Sequence, residues 1–189
     1  MSNTLPALPL LVEEMASANS EDAYGKVFAL LFAPLLKFCY GIVKSEMAAE
    51  EIASDVLLML WQRRQTLTAV NNVKHYAFIS ARNMALNYVK KQSGKTVVSL
   101  NDIDVDIQLG TVASPEAILI QGEMKAGLER AIAKLPNQAK LVFKLVKEEG
   151  FSYKETADIL GISPKTVDAH LVNAVRKLVH ILKQEFNLT

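Results

Sequence analysis

The stretch YKETADILGISPKTVDAHL, residues 153–171, carries the sequence signals of two short helices joined by a tight turn. Ser152 and Glu155 have the spacing of a capping box, which predicts the start of the first helix. Gly161 predicts its end, because glycine adopts the left-handed conformation at little cost, and Ser163, followed by proline, predicts the start of the second helix. Together these signals predict a helix-turn-helix, whose second helix lies in the major groove of DNA; a plain helical hairpin in a bundle is the alternative.

The second of these helices divides into an apolar face and an outward face. Apolar residues recur at spacings of three and four, which predicts that they point into the core of their domain. They are Val167, Leu171, Ala174 or Val175, Leu178 and Leu182. The outward face then carries Lys165, Asp168, Ala169, Val172 and Arg176. A face of this composition suits contacts with phosphates and base edges.

The composition indicates a folded protein of the reducing cytoplasm. The chain has 189 residues, 50% of them hydrophobic, which is enough for one ordinary domain or two small ones. Cys39 is the single cysteine, so no internal disulfide can form, and Glu13 and Glu14 stand where an export signal would need small residues. The three histidines lie far apart, and we therefore predict neither a metal site nor a cofactor.

One apolar segment approaches the length of a membrane span. VFALLFAPLLKFCYGIV, residues 27–43, is interrupted by Pro34 and Lys37 and falls short of the roughly 20 apolar residues that a bilayer core requires. We therefore predict a buried helix and no membrane insertion. Because this helix is so apolar, we also expect part of it to be covered by another protein or by the other domain. The residues expected to be covered are Phe28, Leu31, Phe32 and Leu35.

The net charge of +1 at pH 7 favours no class of partner, but the charges are grouped along the chain. Residues 61–100 contain no acid, whereas residues 1–60 and 101–130 are acidic overall and residues 131–189 are basic overall. The bases of the acid-free block are Arg63, Arg64, Lys74, Arg82, Lys90, Lys91 and Lys95. Two separate basic blocks are the pattern expected when two surfaces contact a polyanion, and solvated lysines are the alternative.

Helix start and stop signals predict an all-α fold. Ser20 and Ser45 are capping residues that predict one helix to about Val43 and a second through the apolar run VLLMLW. A third helix, VKHYAFISARNMALNYVKKQ, follows the loop Leu67–Asn72 and ends before Gly94.

The same signals give the domain boundaries. Residues 20–93 and 116–184 are predicted to be two small helical domains, joined by a flexible linker at residues 94–115 that is acidic and rich in turn formers. One helix is predicted from Pro115 to about Leu135, and another from Pro136 to Gly150.

Three segments of the chain resemble an extracytoplasmic-function (ECF) RNA polymerase sigma factor. They are AEEIASDVLLMLW (49–61), YAFISARNMALNYVKK (76–91) and LPNQAKLVFKLVKEEGFSYKETADILGISPKTVDAHLVNAVRKL (135–178). The resemblance covers about residues 20–92 and 123–182. It implies two helical domains, called regions 2 and 4, which bind bacterial core RNA polymerase and direct it to promoter DNA for transcription initiation. It also implies a membrane-anchored anti-sigma factor as the partner of the inactive protein.

The second helix carries the candidate core-binding face. Glu51, Asp55, Leu58 and Gln62 follow one another at spacings of four, three and four, so that carboxylates and an apolar side chain share one face. Such a face suits a basic helical partner, and the resemblance assigns it to core polymerase; a solvated acidic edge is the alternative. Trp61 is interpreted as a core anchor and not as a wedge into DNA.

The third helix and the loop before it supply residues suited to opened DNA. Strand separation requires a pocket for an unstacked base beside cations that hold the phosphates. The candidates are Asn71, Asn72, Tyr76, Ser80, Asn83, Asn87, Lys90 and Lys91. Tyr76 stands where members of the family usually carry an aromatic residue, although Tyr76 and Tyr88 could instead be half-buried packing residues. Arg82 is either a phosphate contact or a structural ion-pair partner.

For region 4, the resemblance adds two residues to the outward face of the last helix. The implied contacts with the upstream promoter element are Ser163, Lys165, Thr166, Asp168, Ala169, Val172 and Arg176. Many members carry lysine or arginine where Asp168, His170 and Asn173 stand, so we expect weaker phosphate binding and a different base preference here. Asp168 either accepts a hydrogen bond from cytosine or is a surface acid without a role in DNA binding.

The alternative function is a stand-alone helix-turn-helix regulator with an N-terminal domain for dimerisation or sensing, which would bind paired half-sites unaided. The acid-free block beside a polar and aromatic helix, in the half without the helix-turn-helix, favours the sigma factor. An enzyme is not expected, because no nucleophile–base pair, glycine-rich phosphate loop or metal cluster can be located in the sequence. The acidic run NDIDVD of the linker either imitates nucleic acid in a basic channel or is a solvated tether.

Overall fold

The computed structural model describes residues 7–94, 127–128 and 130–185. All regular secondary structure in these ranges is helical, which confirms the all-α prediction. The chain divides into two compact units, Met1–Val98 and Ser99–Thr189.

The described part of the first unit contains the helices α1 (Leu8–Ala18), α2 (Glu21–Val43), α3 (Glu46–Gln62), α4 (Arg64–Leu67) and α5 (Val73–Ser93). The predicted caps are present: Ser20 Oγ accepts the backbone N–H of Ala23 (3.1 Å), and Ser45 Oγ accepts that of Ala48 (3.3 Å). α5 ends at Gly94, whose φ of 64° lies in the left-handed region. The three long helices therefore start and stop where the sequence predicts.

α2 runs through the middle of the first unit and contacts α1, α3 and α5. Its length and apolar composition would also suit a membrane span, but one face of it forms the core of the unit. The rings of Phe38 and Phe78 link α2 to α5, with centroids 5.1 Å apart. The inward face of α3 has helical spacing, with Ala49, Ile52, Ala53, Val56 and Leu60 buried.

The apolar surface that α2 leaves open for another protein or for the other domain is smaller than predicted. Leu31 and Leu35 are 2% and 0% exposed within the chain itself, so these two residues need no other protein to cover them. Phe28 and Phe32 are half-buried and stack on each other, with ring centroids 4.9 Å apart. Neighbouring turns of the same helix thus shield much of this aromatic surface.

α1 lies before residue 20, where no helix is predicted from the sequence. It buries Leu11, Val12 and Met15 and contacts α2 and α4. Leu67, predicted to begin a loop, is the last residue of α4 and is also buried. The first unit is therefore larger than the predicted domain at its N-terminal end.

In the second unit the described helices are α6 (Asn137–Phe143), α7 (Tyr153–Leu160) and α8 (Pro164–Glu185), preceded by helical residues at 127–128 and 130–133. α6 continues as a π turn, Lys144–Glu148, where the sequence predicts an uninterrupted α-helix. A π turn adds a residue to one helical turn and rotates the following side chains around the axis. Leu145 and Phe151 are both buried around this turn.

The core of the second unit joins α6 and α8 to the helical residues before Pro136. Its buried members are Ala131, Ile132, Leu135, Ala139, Ala174 and Leu178. Between the two predicted alternatives, Ala174 is the inward residue, since Val175 is 42% exposed. Residues 95–115 of the predicted linker, and residues 115–126 of the helix predicted to follow it, lie outside the described residues.

Candidate partner-binding and nucleic-acid surfaces

The predicted core-binding face lies on the outer side of α3. Its four residues are all exposed: Glu51, Asp55, Leu58 and Gln62. Leu58 is 47% exposed, and Met47, one turn before Glu51, is 80% exposed. Met47 was not predicted, although its spacing of four residues from Glu51 places it on the same face. Two carboxylates therefore lie between two open apolar side chains.

The predicted melting residues form a stripe along α5 and the turn before it. Asn71, Asn83, Asn87, Lys90 and Lys91 are exposed, whereas Asn72, Tyr76 and Ser80 are half-buried. Two of the half-buried residues have local structural partners. Asn72 Oδ1 accepts the backbone N–H of His75 (3.0 Å) as the N-cap of α5, and Ser80 Oγ donates to the carbonyl of Tyr76 (2.9 Å). The five exposed residues of the stripe present their side chains to solvent.

Tyr76 is held by a residue that the sequence did not single out. Nη1 of Arg63 donates to Tyr76 Oη at 2.8 Å; Arg63 is exposed and Tyr76 is half-buried. Arg63 is the C-cap residue of α3, and its backbone N–H bonds the carbonyl of Met59. The contact joins residues thirteen positions apart on two helices, so no local sequence pattern indicates it.

Among the described residues Arg82 forms no ion pair, and its predicted phosphate contact stays a prediction. Its Nη1 donates to Asn83 Oδ1 (3.3 Å), and its Nε is buried without a hydrogen-bond partner among the described residues. Because the guanidinium is half-buried, it borders the stripe instead of projecting from it. Tyr88 is half-buried, as the packing alternative predicts.

Trp61 has the contacts of a packing residue. Its ring lies 5.1 Å from the ring of Tyr24, and the guanidinium carbon of Arg64 lies 4.4 Å above it. Arg64 Nε also donates to Asn19 Oδ1 (2.8 Å), and its Nη1 donates to the carbonyl of Trp61 (3.0 Å). The indole therefore packs against Tyr24 of α2 and Arg64 of α4, which supports its interpretation as an anchor.

The turn between α7 and α8 has the predicted geometry. Ser152 and Glu155 form the full capping box, with the N–H of Ser152 donating to Glu155 Oε2 (2.9 Å) and that of Glu155 donating to Ser152 Oγ (3.2 Å). Gly161 ends α7 with φ 69°. Ser163 Oγ accepts the N–H of Thr166 (3.0 Å), so it is the N-cap of α8.

The outward face of α8 is open. Lys165, Asp168, Ala169, Val172 and Arg176 are exposed, as predicted, whereas Val167 and Leu171 are buried. Ser163 and Thr166 are less available, because their hydroxyls bond each other at 2.8 Å. Further along α8, exposed valines form an apolar ridge that was not predicted. They are Val172, Val175 and Val179.

Comparison with known proteins places both units in one family. Residues 30–95 match the family model for Sigma-70 region 2, and residues 125–178 match that for Sigma-70, region 4. The first match contains α3 and α5, and the second contains the whole helix-turn-helix. The chain is 26% identical, over 91% of its length and 43% of the relative's, to the Probable RNA polymerase sigma factor RfaY of Xanthomonas campestris pv. campestris. It is 24% identical, over 91% of its length and 65% of the relative's, to the ECF RNA polymerase sigma factor BldN of Streptomyces coelicolor.

A solved structure shares the fold. It is that of the sigma factor RpoE in complex with the anti-sigma factor NepR from Bartonella quintana, with 20% identity and a TM-score of 0.59 over 87% of this chain and 98% of that one. The chain spans less than two thirds of the length of the two curated relatives. A region 2 match in the unit without the helix-turn-helix does not favour a stand-alone regulator. The two matches follow the order of the two units and together cover more than half of the residues of the chain. The chain therefore belongs to the extracytoplasmic-function group of RNA polymerase sigma factors.

Proposed function

We propose that this chain binds core RNA polymerase and directs it to specific promoters. The observation that carries the proposal is the presence, in one chain, of an exposed acidic and apolar face on α3, a polar and basic stripe on α5 and an open helix-turn-helix face on α8. A stand-alone regulator needs only the last of these. A factor that brings polymerase to DNA and helps to open it uses all three.

Each surface has a proposed role. Glu51, Asp55, Leu58 and Gln62 bind a basic helical part of core polymerase, since carboxylates steer such a partner and the apolar side chains bury area against it. The α5 stripe binds the opened strand, with Tyr76 as the stacking platform and Lys90 and Lys91 on phosphates. The exposed face of α8 reads the upstream promoter element in the major groove.

The regulator of this activity is an anti-sigma factor anchored in the membrane, while the chain itself acts in the cytoplasm without inserting into the membrane. Support comes from the similar structure of RpoE, which is a complex with an anti-sigma factor. The proposed function requires no catalysis and no cofactor from this chain. Residues 20–93 and 116–184 act as regions 2 and 4, and residues 94–115 act as the acidic linker between them.

The test is transcription in a purified system. The full chain is mixed with core RNA polymerase and genomic DNA of its own organism, and the starts of all transcripts are mapped with and without the chain. We expect new starts that share a bipartite upstream motif. Core alone, and core with an unrelated sigma factor, are the controls.

Two results would contradict the proposal in different ways. If the chain leaves the pattern of starts unchanged and is not retained by immobilised core, it does not act as a sigma factor. If the chain protects palindromic sites on DNA without polymerase, the stand-alone regulator is the better assignment.

A further inference from the structure

α5 carries the cations Lys74, Arg82, Lys90 and Lys91, but among the described residues none of them hydrogen-bonds the side chain of Tyr76, the predicted stacking residue. Lys90 and Lys91 lie about four turns beyond Tyr76, roughly 21 Å along the axis at 1.5 Å per residue. Lys74 is closer in sequence, but its ammonium lies 6.0 Å from the ring centroid of Phe78, a buried residue. A base stacked on Tyr76 brings its own phosphates with it, so a cation is needed near the ring.

Arg63 supplies that cation from a different helix. Its guanidinium reaches from the end of α3 to α5 and bonds the phenol of Tyr76 at 2.8 Å. A guanidinium has five N–H donors, and this contact uses one of them. The side chain is exposed, so its remaining edge faces solvent beside the ring.

The neighbouring arginine shows that this placement is particular to Arg63. Arg64 is half-buried on the face of Trp61 and bonds both Asn19 and the carbonyl of Trp61. Its donors serve the packing of α1, α2 and α3. Of these two adjacent arginines, only Arg63 lies at the surface beside Tyr76.

We propose that Arg63 belongs to the surface that binds opened DNA: it holds the ring of Tyr76 through the phenol and binds the phosphate next to the base stacked there. This inference rests on the proposed function, because it needs Tyr76 to meet unpaired DNA. The bond to the phenol keeps the guanidinium in place before DNA arrives, which lowers the entropy cost of binding the phosphate.

The test measures binding of the holoenzyme to a promoter fragment taken from the mapped starts, in a fully paired form and in a form with a mismatched, pre-opened segment. The variants are Arg63→Gln, Tyr76→Phe and the double variant. Lys26→Gln is the matched control, since it removes one exposed positive charge from α2 far along the chain from these residues. Affinity for core is measured separately for each variant, because Arg63 directly follows Gln62 of the core-binding face.

We expect Arg63→Gln to weaken binding to the pre-opened form about tenfold and to reduce the slope of log affinity against log salt by roughly 0.7, the value for one single-strand phosphate. Tyr76→Phe keeps the ring and loses the bond, so it should give a smaller loss. The double variant should lose less than the two single losses combined, because both remove the same contact. Melting temperature and core affinity should stay at the parent values.

Three outcomes would overturn the inference alone, and a fourth would overturn the proposed function as well. An Arg63→Gln slope equal to that of the parent shows that no phosphate contact is lost, and additive losses in the double variant show that Arg63 does not act through Tyr76. A fall in melting temperature that matches the loss of binding shows a structural role only. If the parent holoenzyme itself fails to bind the promoter, the proposed function fails and this inference with it.

Discussion

The hydroxyl of Thr156 is a polar group in an apolar place. Thr156 lies inside α7 with 0% exposure, and its Oγ1 has no hydrogen-bond partner among the residues that the structure describes. A buried hydroxyl without a partner has lost its bonds to water and gained none in the protein. The packing of the helix-turn-helix compensates for this cost.

We therefore predict that Thr156→Val raises the free energy of unfolding by about 1 kcal/mol, because valine has nearly the same shape and no group to desolvate. Urea unfolding of the full chain, followed by circular dichroism, measures the change. Thr166→Val is the matched control: the hydroxyl of Thr166 bonds Ser163, so its removal should give no gain. A destabilised Thr156→Val would mean that the hydroxyl has a partner in solution.

Cys39 is the opposite case, a reactive group made inert by its surroundings. It has 0% exposure on the inner face of α2, and this burial raises the pKa of the thiol from 9.0 to about 12. The thiolate is the reactive form, so at pH 8 its population is roughly a thousandfold lower than in the unfolded chain.

We predict that Cys39 reacts with a disulfide reagent such as Ellman's reagent only as fast as α2 is exposed by unfolding. The rate should rise with urea along the unfolding curve, at a pH held at 8. Ala29→Cys, which adds an exposed thiol to the same helix, should react at once and serves as the positive control. Cys39 is the single cysteine of the parent protein. Its rapid reaction in the native parent would contradict the packing of α2.

Helices whose ends are encoded locally were predicted well. Ser20, Ser45, Ser152 and Gly161 each act on residues within one turn, so their patterns in sequence translate directly into caps. α1 was missed because its N-cap position makes no side-chain hydrogen bond and its apolar face is defined by contacts with α2 and α4. The π turn was missed for a similar reason, since the core on both sides of it decides which residues must be buried.

The site residues divide in the same way. Exposure of the α3 and α8 faces follows from helical periodicity, and the structure places all the predicted outward residues of these faces at the surface except Thr166, which is half-buried. Arg63 could not be found from periodicity, because its partner lies on another helix. Choosing between Ala174 and Val175 also required the packed core, since adjacent positions differ by only 100° around the axis.

The face of α3 allows a test of partner binding that leaves the fold unchanged. We predict that Asp55→Arg weakens binding to core RNA polymerase about tenfold or more, since it places a positive charge against a basic partner. Glu50→Arg makes the same change of charge at an exposed position about 100° around the helix from Glu51, and should leave affinity within about threefold.

Both variants alter exposed side chains, so their stabilities should lie within about 0.5 kcal/mol of the parent. Affinity is measured by competition with a labelled parent chain for core. Equal affinity of Asp55→Arg and parent would remove this face from the proposed function, and equal losses in both variants would indicate a general effect of charge.

The charges of the whole molecule suggest how its DNA affinity is limited. The net charge is only +1, and the open face of α8 presents Asp168 beside Lys165 and Arg176. Few phosphates can be neutralised by such a face, and phosphate contacts supply most of the affinity of sequence-independent binding. The chain alone should therefore be a weak DNA-binding protein.

We accordingly predict that the free chain binds a promoter fragment no better than about 1 μM at physiological salt, in the range of non-specific binding. Core polymerase should tighten binding at least about a hundredfold, because it adds its own DNA contacts and presents α5 and α8 to the same promoter. Fluorescence anisotropy at one fixed salt concentration measures both affinities. Asp55→Arg provides the internal control. It should raise the concentration of chain needed for half-maximal DNA binding in the presence of core, and it should leave the weak DNA binding of the free chain unchanged. Nanomolar binding of DNA by the free chain would contradict this prediction, because it would show that the helix-turn-helix binds the promoter tightly without polymerase.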